Sequence, residues 1–167
     1  MNVNEALKRI SWATTNWPGD PLDPNGLAHA INFKGNLNPV IWVFNNASEP
    51  RNFSQCFGSD QPIIAFRTLN VIVEPSSKRD QLSKEIAHLY ADIIMKLVDK
   101  PVQIVGGVCQ GAPFAMWIAQ KLNASGYKVH GVAVIDPYPC IPNIKVDLPV
   151  LLNFGISAPL PFSKKRK

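Results

Sequence analysis

Apolar residues in this chain arrive as short unbroken runs that alternate with stretches of helical period. "PVIWVFN" (39–45) and "QPIIAFRT" (61–68) are apolar without alternation and are bounded by Pro, Asn or Thr. That pattern predicts strands buried on both faces. In "RDQLSKEIAHLYADIIMKLVDK" (79–100), Leu82, Ile86, Leu89, Ile93 and Leu97 recur every three or four positions and predict one apolar helical stripe. Ser76 or Ser77 can cap that helix, and Lys96 and Lys100 suit its C-terminal end. "PVQIVGG" (101–107) predicts a strand, "PFAMWIAQKLNASG" (113–126) a helix stopped by Gly126, "VHGVAVID" (129–136) a strand, and "LPVLLNFG" (148–155) one more. Residues 1–26 are rich in Asn, Pro, Gly and Asp; a short amphipathic helix fits about 4–12 and the remainder reads as loop. Buried strands alternating with helices imply a three-layer α/β fold with a mostly parallel sheet, whose chemistry sits at the C-terminal ends of the strands.

Length and charge narrow the function classes. The 167 residues suffice for one domain with a real core, 27–160, preceded by the segment 1–26 and followed by a basic tail, 161–167. The formal charge is +5, but Lys164, Lys165, Arg166 and Lys167 lie together in that tail. No basic stripe interleaved with aromatics runs through the domain, so a nucleic-acid partner is not expected. The tail reads as a solvated end, with a targeting or anionic-surface patch as the alternative. No run reaches the ~18 apolar residues of a membrane span, and the start has no signal-peptide core, so a cytoplasmic location is expected. Cys56, Cys109 and Cys140 are odd in number and far apart, which argues against a disulfide framework or a metal site.

The stretch "VGGVCQGA" (105–112) joins a predicted strand to a predicted helix. Gly107-Val108-Cys109-Gln110-Gly111 fits G-x-S-x-G with Cys in place of Ser. In such a turn the glycines at 107 and 111 let two backbones approach and lift the central side chain above the sheet. The new helix N-terminus favours negative charge at sulfur, and the Gln110 amide is placed to hold an oxyanion. The alternative is a cysteine packing a tight strand-to-helix turn. Asp136 ends the next strand and so stands at the same rim; it is either an acid beside the elbow or a turn-former before Pro137.

From about Pro39 to Pro142 the chain resembles the thioesterase domains of non-ribosomal peptide and polyketide synthetases, within the α/β-hydrolase fold. "PVIWVFNNASEPRNF" resembles that family's first core strand and the loop giving half of the oxyanion hole. "CFGSDQPIIAFRTL" resembles its G-x-D-Q-P-V-Y-G-L strand, "GGVCQGAPFAMWIAQKLNASGYKV" its elbow and helix, and "GVAVIDPYPC" its L-x-L-I-D-S strand end. The resemblance implies Cys109 as nucleophile, Asp136 as triad acid, and the Asn46 loop and Gln110 as oxyanion donors. It also implies acyl or peptidyl thioesters presented on a carrier protein's phosphopantetheine arm, with no cofactor held by the domain itself.

Four departures qualify that expectation. A cysteine nucleophile gives an acyl-thioester intermediate that keeps its transfer potential, and a thiol ionises more easily than a hydroxyl. The family's histidine follows the acid, yet His29 and His88 precede Cys109, and His130 opens the strand that Asp136 closes, about 20 Å away. The chain ends before the family's lid and last strands, which predicts either a truncated product or completion by a partner or a second copy at an open sheet edge. The loop "FNNASE" lacks the family's glycines. Two readings follow: a Cys-dependent thioesterase or acyltransferase that is impaired or partner-dependent, and a degenerate, non-catalytic domain that binds a carrier protein or sister subunit. Polyester synthases and dienelactone hydrolases, which share G-x-C-x-G, are a third, weaker fit.

Overall fold

A computed structural model of the chain describes residues 1–137 and 146–153. The predicted basic tail, Cys140 and the end of the last predicted strand lie outside the described residues. Among these, helix α1 (Val3–Thr14) is followed by strands β1 (Asp20–Pro21), β2 (His29–Ile31) and β3 (Val40–Phe44), helix α2 (Glu49–Ser54), β4 (Ile63–Arg67), α3 (Ser77–Leu97), β5 (Ile104–Val108), α4 (Gly111–Ala124), β6 (Val132–Ile135) and β7 (Val150–Asn153). The seven strands form one sheet in the order β1-β2-β4-β3-β5-β6-β7. β4, β3, β5, β6 and β7 run parallel, while β1 and β2 join antiparallel at one edge. The fold is thus α/β with a mostly parallel sheet, as the run pattern predicts.

The unbroken apolar runs are explained by what covers each face. All five residues of β3 and all five of β4 are buried. One face packs Ile41, Val43, Ile64, Phe66 and Val105 against α1, α3 and α4. The other gathers Trp17, Val40, Trp42, Phe44 and Ala65, with Phe53 of α2 against them. Trp42 crosses onto β5, where a Cβ at Gly106 would lie 2.2 Å from its ring, so only glycine fits there.

Helix α3 is capped by Ser76, whose side chain accepts from the Arg79 amide at 3.2 Å. Its buried face differs from the predicted stripe. Leu82 and Ile86 are buried, but Leu89 and Ile93 are only partly so and Leu97 is 38% exposed; Ala87, Tyr90, Ala91 and Ile94 are buried instead. The alanines let α4 approach, and Tyr90 stacks on Phe66 at 4.4 Å while its hydroxyl donates to the Arg67 carbonyl at 2.8 Å. Lys100 lies beyond the helix end and donates to the Gly35 carbonyl at 3.2 Å. Helix α4 stops as predicted: Gly126 has φ +73°, and the Tyr127 amide reaches back to the Leu122 carbonyl at 2.9 Å.

Residues 1–26 are more ordered than a loop reading implies. Ala6, Ile10 and Trp17 are buried. Asp23 accepts from the amides of Asn25, Leu27 and Ala28 at 3.0, 2.7 and 2.8 Å, setting up the turn into β2.

Candidate active site

Cys109 stands at the end of β5, one residue before the Gln110 that precedes α4. Its φ is +53°, left-handed backbone that costs a non-glycine residue roughly 1–3 kcal/mol. The strand-to-helix turn forces this conformation, and the glycines allow it. A Cβ on Gly107 would meet the Gly111 carbonyl oxygen at 2.3 Å, and one on Gly111 would meet the Val43 carbonyl oxygen at 2.3 Å. Both predicted elbow glycines are therefore points where backbone touches backbone. The Cys109 amide donates to the Ile135 carbonyl at 2.9 Å, tying the turn to β6. The thiol is half-buried and forms no disulfide; Cys56 is likewise a free cysteine and is exposed.

Asp136 leaves β6 beside it. Val108 and Ile135 are register partners, so Cys109 and Asp136 are the next residues off adjacent parallel strands. Asp136 is exposed and also left-handed, with φ +42°. Two non-glycine residues with positive φ thus stand side by side at the C-terminal rim.

The loop after β3 closes without glycines. Asn46 Oδ1 accepts from the Ser48 amide at 3.0 Å, the Ser48 hydroxyl at 2.8 Å and the Glu49 amide at 3.2 Å. Glu49 clamps the loop from its other side, accepting from the Asn45 amide at 2.7 Å and from Asn46 Nδ2 at 2.6 Å. This turn holds the Asn46 side chain in place and leaves its backbone amide able to donate. Among the described residues neither the Asn46 amide nor the Gln110 amide has an acceptor. Gln110 Nε2 donates to Asn70 Oδ1 at 3.1 Å.

No histidine joins this group. His29 pairs with Ala65, which pairs with Trp42, which pairs with Gly106. Three strand spacings put it about 14 Å from β5. It is buried against Trp17, and its Nε2 bonds the Gly26 carbonyl at 3.2 Å. The carbonyl of His88 accepts from Lys121, ten residues into α4 from the elbow, or about 15 Å along the axis. His130 is exposed at the opposite end of the sheet, where its amide meets the Val102 carbonyl at 3.0 Å. The polar residue that sequence reasoning missed is Asn45, 7% exposed at the end of a wholly apolar strand. Its Nδ2 donates to the Val108 carbonyl at 2.9 Å. A lone Asn closing such a run is the signal that could have found it.

No described helix is long and apolar enough to cross a membrane. No protein-family model matches the chain, and no curated protein matches it in sequence. Solved structures do match. The NocB thioesterase domain in covalent complex with a fluorophosphonate nocardicin G analog aligns at 17% identity and TM-score 0.53, over 66% of this chain and 49% of that one. A second structure, of the NocB thioesterase domain from the nocardicin cluster, aligns at 14% identity and TM-score 0.53, over 66% and 50%. The chain therefore spans about half the length of these domains. That likeness concerns the fold: the chain has the α/β fold of a thioesterase domain.

Proposed function

We propose that this chain is an acyl-transfer domain of thioesterase type whose nucleophile is Cys109. The donor is an acyl or peptidyl thioester carried on the phosphopantetheine arm of a carrier protein. The observation that carries this reading is the Cys109 backbone: φ +53° between the end of β5 and the start of α4, with Gly107 and Gly111 in backbone contact beneath it.

The Cys109 thiolate forms a new S–C bond to the thioester carbonyl carbon. The carbonyl π pair moves onto oxygen, and the amides of Gln110 and Asn46 hold that oxyanion. Collapse breaks the bond to the donor sulfur, which leaves as thiolate and takes up the proton that Cys109 gave to solvent. Loading exchanges one thioester for another and is nearly thermoneutral. The second half, attack by water, amine or hydroxyl on acyl-Cys109, needs a base. Asp136 stands beside Cys109 on the adjacent strand end, at the position that the resemblance gives to the triad acid. None of the three histidines reaches the sulfur, so deacylation by this chain alone forgoes about 10²–10⁴ in rate. The acyl-cysteine accumulates.

Incubation with a short acyl-thioester followed by peptide mapping tests this. A stable acyl group on Cys109 supports the reading; an unmodified Cys109 ends it. The second reading, a non-catalytic carrier-binding domain, draws on the distance of all three histidines from the elbow. It predicts carrier-protein binding that Cys109→Ala leaves unchanged and no acyl adduct.

A further inference from the structure

We infer that Asn45 is a positioning residue that sets the spacing between the two oxyanion amides through a closed ring of hydrogen bonds. The inference rests on the reading that Cys109 is acylated. The ring begins at the Val108 carbonyl, which can only accept, so the side chain facing it must donate. Asn45 Nδ2 does so at 2.9 Å. That orientation turns Asn45 Oδ1 toward Thr68, whose hydroxyl donates to it at 3.3 Å. The same hydroxyl accepts from the Asn70 amide at 3.1 Å. Asn70 Oδ1 then accepts from Gln110 Nε2 at 3.1 Å. Gln110 is two residues past Val108, so the chain itself closes the ring.

Every bond has one donor and one acceptor, and the central members are buried: Asn45 is 7% exposed and Thr68 0%. A buried polar group is costly unless paired, so such a ring has one arrangement rather than many. It joins the end of β3, the end of β4 and the elbow. The Asn46 amide follows Asn45 directly, and the Gln110 amide follows Cys109. Both oxyanion donors are thus one peptide unit from an atom the ring holds. With Gly absent from residues 45–49, the ring and the Glu49 clamp do the work of a shaped glycine loop.

The test separates oxyanion chemistry from thiol access. Acylation by an acyl-thioester builds a tetrahedral oxyanion; alkylation by iodoacetamide does not. Both rates are read at Cys109 by peptide mapping, in the wild-type chain and in Asn45→Ala, Asn45→Asp, Thr68→Val and Thr68→Ser. Asn45→Asp keeps an acceptor for Thr68 but cannot donate to the Val108 carbonyl. The inference expects acylation to fall about 10²-fold in Asn45→Ala, Asn45→Asp and Thr68→Val, the scale of a misplacement near 1 Å. Alkylation should stay close to the wild-type rate, and Thr68→Ser should keep both. Equal acylation in wild type and variants overturns the inference and leaves Cys109 as nucleophile. Parallel loss of both reactions overturns it in favour of a general structural role. No acylation of the wild type overturns the reading of Cys109, and this inference with it.

Discussion

The carbonyl oxygen of Gly111 lies 2.3 Å from where a Cβ on Gly107 would be, and the carbonyl oxygen of Val43 lies equally close to a Cβ on Gly111. Three backbone segments, β3, β5 and the start of α4, are in direct contact under Cys109. Backbone cannot rotate aside as a side chain can. Gly107→Ala and Gly111→Ala should each destabilise the fold by about 2–3 kcal/mol, read as a lower urea midpoint at unchanged m-value. Gly58→Ala, where a Cβ meets nothing within 4 Å, is the control and should change little.

Val71 supplies an opposite case. It is β-branched, 86% exposed and has φ +61°. Its side chain gains nothing from burial, and its backbone region suits Asn or Gly. Val71→Asn should raise stability by about 1 kcal/mol, seen as a higher urea midpoint.

Much of this architecture was legible in the sequence, and the misses have physical causes. Strands β3 to β6 announce themselves because parallel strands buried on both faces must be apolar, and helices α3 and α4 because their apolar residues recur at helical spacing. β7 is an apolar run although Val150 and Leu151 are exposed at the sheet edge. β1 and β2 have two and three residues at an antiparallel edge, too short for any period to show. α2 offers only buried Pro50 and partly buried Phe53 among "EPRNFS", too few for a period to show. The α3 stripe was displaced because alanine and tyrosine carry the packing, and neither weighs as leucine does in a periodicity count. At the site, the elbow glycines, Cys109 and Asp136 could be placed from residue order alone. The Asn45–Thr68 ring could not, because it depends on which side chains three separate strand ends turn toward one another.

Arg67 predicts a stabilising substitution. It is 7% exposed at the end of β4, and its buried Nε–H has no acceptor among the described residues. Burial pushes its pKa below the ordinary guanidinium value, with Tyr90 and Glu49 opposing. A buried donor left without an acceptor costs about 1–3 kcal/mol, a penalty that an apolar group of similar shape does not carry. Arg67→Met should stabilise the chain by about 1–2 kcal/mol in urea titration at neutral pH. A loss of stability would mean that the charge is compensated.

Acid should weaken the fold in a defined window. Burial pushes the His29 imidazole below its ordinary pKa of 6.5, against the Gly26 carbonyl and Asp23, which favour the charged form. His88 is lowered too, by burial first and then by Lys121 and Lys84, with Asp92 opposing. A folded-state pKa below the unfolded one means that the native state prefers the neutral ring. This contribution is complete above pH 6.5 and is lost as pH falls from there through the folded-state pKa. His29→Phe, which keeps an aromatic edge against Trp17, and His88→Gln should each flatten the fall in urea midpoint between about pH 7.5 and 5.5.

Intact-protein mass spectrometry of the chain after exposure to an acyl-thioester addresses the nucleophile most directly. One added acyl mass is expected at residue 109, persisting for many minutes in buffer, lost on treatment with hydroxylamine, and absent from Cys109→Ala. An unmodified chain, or the same adduct in Cys109→Ala, would contradict this expectation.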